Sequence, residues 1–286
     1  MTPNISEFSY GFALTNEIVG WEQLTAAPLF PSLIEEGRAG GGYDVKLERP
    51  GVPLYLQFKR ADCMKRRSTL EIRDHNLPLN LPFYRFKITE SGRSNQHAML
   101  LALDDGVNAV FYAAPRFHEL TEINQAWAAN QVASRSIFVR PDAIGPLDGD
   151  SHHVAYDAAQ AFLCSEPKAV ASLTAQDVAA DLQNKLGATS QPLRERLPYL
   201  IRTTQEAVVI ARAAAREFSS AAFVSPATET AARAIAEQPG SEPSIRPIPT
   251  RLSRPLTSDE SQLRELADLT SRDLGLHLVF VQRRDD

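Results

Sequence analysis

Asp44, Gln57 and Lys59 are the residues whose types and spacing suit chemistry on an anion. They fall in two short stretches, Gly42-Tyr43-Asp44-Val45 and Leu54-Tyr55-Leu56-Gln57-Phe58-Lys59-Arg60, on either side of the turn signal Pro50-Gly51-Val52-Pro53. The pattern predicts two strands, Tyr43 to Glu48 and Leu54 to Ala61, joined as a hairpin. Side chains alternate along a strand, so an even loop sets Asp44 opposite Gln57, with Lys59 diagonal to it on the same face. Leu54, Leu56 and Phe58 then turn to the other face with Val45 and Leu47, while Tyr55 joins the polar side. A carboxylate and an amide oxygen are hard ligands of the kind Mg²⁺ or Mn²⁺ takes. A lysine two residues beyond the amide can hold an attacking water or offset charge building on a phosphorane-like transition state.

Other elements must position that face. A helix is expected from Ser6 to Leu24, with one stripe of Phe8, Phe12, Thr15 and Val19 and a second of Tyr10, Leu14, Glu17 and Trp21. Two such stripes predict a helix covered on much of its surface, and Glu17 is then a carboxylate among apolar neighbours that could reach the site through a bound water. A strand is expected at Leu29 to Ile34, then a turn at Gly37 to Gly42. A strand Phe83 to Ile88 is followed by a helix capped by Ser94 and ending near Leu103. Val107 to Ala114 is apolar nearly throughout and reads as a buried strand. A helix Glu119 to Val132 and a strand Ser136 to Arg140 follow. From about Ser165 alanine-rich helical patterns run to Glu237, broken near Gly187 and Pro198. Gln238 to Leu256 is rich in Pro and Ser and reads as a linker or ordered loop. Thr257 and Glu260 form a capping box for a helix stopping at Gly275. Leu276, Leu278 and Phe280 alternate as a last strand. The expected division is residues 1–164 as one α/β domain and residues 165–286 as a mainly helical C-terminal region with a terminal helix–strand unit.

Composition narrows the function classes. The net charge of −5 excludes a globally basic nucleic-acid binder, but not a local patch. Lys46 to Arg93 holds eleven Lys or Arg against five Asp or Glu, a balance of +6, so the remainder carries −11. Arg60, Lys65, Arg66 and Arg67 could track a phosphate backbone, or serve as a solubilising run. No apolar run is long enough to span a bilayer, and the N-terminal stretch lacks the basic and apolar regions of a secretory signal. Cys63 and Cys164 lack CxxC spacing and read as two reduced thiols, so the expected compartment is the cytoplasm. His152-His153 with Asp157 has no recognised metal-ligand spacing and reads as structural. Ser165-Glu166 has no nucleophile motif around it, and neither GxSxG nor HExxH occurs, which disfavours serine or zinc hydrolases.

The order helix with Glu, strand, strand with Asp, strand with an acid or glutamine two residues before lysine, helix, strand resembles the PD-(D/E)XK nuclease superfamily. It is most similar to the branch in which glutamine replaces the second acid, as in Mrr-type restriction enzymes. The resemblance covers about the first 115 residues. It implies a restriction-endonuclease-like mixed sheet flanked by helices and a metal-dependent endonuclease acting on nucleic acid, DNA first. It implies Asp44 and Gln57 as ligands of Mg²⁺ or Mn²⁺, Lys59 as the catalytic lysine, and Glu17 as the helix acid. The chain also resembles bacterial proteins associated with antiviral defence, which implies defence-system partners. Two other readings of the same residues stand: a solvated face of an edge hairpin, and a nuclease fold kept for binding or assembly without catalysis.

Overall fold

The hydroxyl of Ser6 accepts the amide of Ser9 at 2.9 Å and so starts helix α1, Glu7–Val19, by satisfying one of its free first-turn donors. The computed structural model describes residues 1–21, 24–29, 46–89, 95–222 and 259–283. Tyr10, Leu14 and Ile18 of α1 are fully buried. Its other stripe behaves differently from the expectation: Phe8 and Phe12 are 77% and 61% exposed, so α1 covers the sheet with one face only.

The main sheet has six strands. They are β1 (Leu24–Leu29), β2 (Val52–Phe58), β5 (Ala109–Pro115), β6 (Ser136–Val139), β10 (Ser172–Leu173) and β11 (His277–Arg283), in the spatial order β1-β11-β2-β5-β6-β10. β2 runs parallel to β5 and antiparallel to β11. All seven residues of β2 and of β5 are buried, as expected for strands covered on both faces. The C-terminal strand has the partners that its alternating Leu276, Leu278 and Phe280 called for: it lies between β1 and β2.

A second, antiparallel sheet joins β3 (Asp62–Met64), β4 (Phe83–Ile88), β7 (His152–Tyr156), β8 (Ala161–Leu163) and β9 (Lys168–Val170) in that order. The helices between strands are α2 (Leu70–Arg73), α3 (Gln96–Leu103), α4 (Leu120–Ala128) and α5 (Pro141–Ile144). Towards the C-terminus come α6 (Ala175–Ala188), α7 (Leu193–Ala222) and α8 (Asp259–Asp268), the last extended by a π-helical turn, Leu269–Asp273. Two hydrophobic clusters follow from this layering. One joins α1 and α6 to the main-sheet face bearing Leu54, Leu56, Phe58 and Phe111. The other joins the opposite face, with Tyr55, Tyr112 and Phe280, to the second sheet and to α3, α7 and α8.

The fold is therefore α/β, but with two sheets where one was expected. The hairpin expectation is corrected. Lys46 to Pro50 form a turn rather than a strand, and both edges of β2 are taken, by β11 and β5. Pro198 does not break the chain's helical run; it lies inside α7. A division at residues 164 and 165 would fall in the turn between β8 and β9. The expected elements at Phe30 to Ile34, Gly37 to Gly42, Tyr43 to Val45, Ser94, Gln238 to Leu256 and Thr257 lie outside the described residues. Among the described residues no helix is long and apolar enough to cross a membrane.

Candidate active site

Alternation along β2 puts Leu54, Leu56 and Phe58 against α1, and Tyr55 and Gln57 on the side of α3. The amide of Lys59 donates to the Ala113 carbonyl at 2.9 Å, so the β2–β5 ladder continues one residue past the strand. Gln57 and Lys59 thus stand at the C-terminal edge of two parallel strands, the edge where open α/β sheets place their ligands. α3 brings Gln96 and His97 to the same edge, and β5 brings Tyr112.

The polar groups form a line. Lys59 Nζ donates to Gln96 Oε1 at 3.0 Å, Gln96 Nε2 donates to Gln57 Oε1 at 2.5 Å, and Gln57 Nε2 donates to the Phe58 carbonyl at 3.1 Å. Lys59 Nζ also lies 5.5 Å from the centre of the Tyr112 ring, a cation–π contact. Lys59 is 7% exposed, and among the described residues no carboxylate forms an ion pair with it. Burial therefore pulls its pKa below the ordinary lysine value, while the Glu7 carboxylate on the first turn of α1 works weakly the other way.

His97 fixes the neighbouring phenol. Its Nε2 lies 2.8 Å from the Gly145 carbonyl, which can only accept, so Nε2 carries the proton and Nδ1 accepts from Tyr112 Oη at 3.0 Å. Burial lowers the His97 pKa, which keeps the ring neutral, and raises that of Tyr112.

Gln57 and Lys59 are brought together, and Glu17 is not with them. Asp44 lies outside the described residues. Glu17 is occupied elsewhere: Oε1 accepts the Val132 amide at 2.6 Å and Oε2 the Ala133 amide at 2.7 Å. Ten residues of helix separate it from Glu7, about 15 Å at the α-helical rise. The acid of α1 that Lys59 senses is thus at the start of the helix. Arg60, Lys65, Arg66 and Arg67 are exposed, and among the described residues none is held in an ion pair. Lys65 and the N-terminal ammonium both lie near the Cys63 thiol, so positive charge gathers at this end of β3. Asp157 is a turn-former that accepts amides from Asn80, Ala159 and Gln160. Gln96, His97 and Tyr112 were not singled out in the sequence, because a glutamine and a histidine opening a helix are commonplace and the tyrosine reads as core.

The described donor set does not make a divalent-metal site. The Gln57 oxygen is already hydrogen-bonded to Gln96, a lysine amine lies one amide away, and no trio of His, Cys, Asp or Glu among the described residues is placed to hold an ion. Comparison with family models, characterised proteins and solved structures returned no match.

Proposed function

We propose that the chain is an endonuclease of restriction-endonuclease-like type, cleaving nucleic acid, DNA in the first instance, with divalent-metal dependence and a role in bacterial antiviral defence. The observation carrying this reading is Lys59: a desolvated amine at the C-terminal edge of parallel strands, beside an amide two residues earlier. At such a place positive charge acts on a developing phosphorane through little screening, so it counts for more than at the surface. The exposed Arg60, Lys65, Arg66 and Arg67 supply the phosphate contacts. Metal binding in this reading rests on Asp44 with Gln57, and requires Gln57 to give up Gln96.

A second reading, a nuclease fold kept for binding or assembly, is favoured by one observation: Gln57 is locked between Gln96 and its own strand. Incubation of supercoiled plasmid with Mg²⁺ or Mn²⁺ separates the two. The nuclease reading expects cleavage that is stopped by chelator, by Asp44→Ala and by Lys59→Ala, each by on the order of a hundredfold or more. No cleavage by the wild type or by Gln96→Ala, which frees the Gln57 oxygen, would leave the scaffold reading. Cleavage surviving both Asp44→Ala and Lys59→Ala would place the active site elsewhere.

A further inference from the structure

Ser165, His152 and Asp148 form a continuous hydrogen-bonded line at one end of the second sheet. The register Val154 to Leu163 in the antiparallel β7–β8 pair, continued by two residues, sets His152 across from Ser165 on one face. Asp148 comes from the loop between α5 and β7, four residues before the histidine. His152 Nδ1 lies 2.6 Å from Ser165 Oγ, and His152 Nε2 lies 2.7 Å from Asp148 Oδ1. The same Oδ1 accepts the Asp150 amide at 2.9 Å, which holds the carboxylate in place. That amide and His152 lower the Asp148 pKa, so the carboxylate is ionised.

The direction of each hydrogen bond follows. An ionised carboxylate has no proton to give, so His152 Nε2 carries the hydrogen. When the ring is neutral, Nδ1 presents a lone pair and the Ser165 hydroxyl is the donor. The imidazole is 3% exposed and fixed at both nitrogens, whereas Ser165 stands on an exposed turn between β8 and β9. A buried, oriented base accepting the proton of an accessible hydroxyl is the arrangement nucleophilic catalysis needs.

We propose that Ser165 is a nucleophile for acyl transfer, with His152 as its general base and Asp148 as the residue that positions the base, so that the chain hydrolyses activated esters. Ser165 Oγ attacks the ester carbonyl carbon while its proton passes to His152 Nδ1. The bond to the alkoxy group breaks, and His152 returns that proton to the departing alcohol. Water then adds to the acyl-serine, giving a proton to His152. The Oγ–acyl bond breaks, Ser165 recovers its proton, and the acid leaves. The exposed turn suits a small acyl group on a good leaving group. This centre shares no residue with the Lys59 line.

The test uses the full chain with a fluorophosphonate probe and with p-nitrophenyl acetate. Ser165 Oγ displaces fluoride from the probe, and intact mass with peptide mapping locates the adduct. One adduct at Ser165 is expected, absent in Ser165→Ala. Acylation should rise with pH, as a step that needs an unprotonated base does, and should fall by roughly a hundredfold or more in His152→Ala. Asp148→Asn keeps the exposed loop and tests positioning without risk to the core; it should slow acylation while Ser165 remains accessible. Absence of an adduct at Ser165 under excess probe overturns the proposal. So does labelling that is equally fast in Asp148→Asn and without pH dependence, which would make the line a structural strut.

Discussion

Gly11 is where α1 meets β2, and it gives the sharpest test of how the helix is seated. A Cβ built at Gly11 would lie 2.4 Å from Phe58 Cδ2 and 2.6 Å from Cε2. Carbon atoms in contact normally stand about 3.5–4.0 Å apart, so the ring or the helix must move by roughly 1 Å. Phe58 cannot swing away freely: it is 2% exposed, meets Tyr10 edge-on at 5.7 Å and lies 4.6 Å from the His277 ring. Overpacking of this kind costs about 1–3 kcal/mol. Alanine in a helix recovers about 0.5–1 kcal/mol over glycine. Gly11→Ala should therefore lose about 1 kcal/mol net, the difference of the two mid-range values, read as a lower midpoint in a urea titration followed by circular dichroism. In a Phe58→Leu background the flat ring is gone, so the same substitution should cost clearly less, and the difference is the coupling between the two sites. Wild-type stability in Gly11→Ala, or an equal loss in both backgrounds, would refute the close approach of α1 to β2. Because Phe58 sits between Gln57 and Lys59, any displacement should also lower the cleavage proposed above.

Lys59→Met should raise stability at neutral pH while removing cleavage. The folded-state pKa of Lys59 lies below its unfolded value, so between the two the unfolded chain binds more protons and wild-type stability rises with pH up to about 10.4. Thermal melts across that range should show the rise in the wild type and not in the variant; parallel curves would mean the amine is solvated. Glu17→Ala strands the buried amides of Val132 and Ala133 and should cost roughly 2–4 kcal/mol, with cleavage per folded molecule unchanged. Loss of cleavage at full stability would instead restore Glu17 to the site. Reversal of Lys65, Arg66 and Arg67 to Glu should weaken DNA binding and flatten its salt dependence, because each lost phosphate contact releases one counterion fewer. An unchanged salt slope would assign the run to solubility.

The sequence by itself determined what depends on neighbours along the chain. Alternation in Leu54 to Lys59 set the two faces of β2. The unbroken apolar run around Val110 marked a strand buried on both sides, and Leu276 to Phe280 required a sheet to pair with. Tertiary structure decided which strands meet. β11, more than 200 residues away in sequence, occupies the edge of β2 that local reasoning gave to Tyr43 to Glu48. A strand offers two hydrogen-bonding edges, and its sequence does not say which partners will fill them. The same holds for the polar groups. Glu17 looked like a site acid because its stripe is apolar, yet its carboxylate answers two amides from a loop 115 residues on. Gln96 gained importance only when α3 laid it between Lys59 and Gln57. Ser165 and His152 had no motif to mark them, because a β-hairpin register brings them together rather than any fixed spacing along the chain.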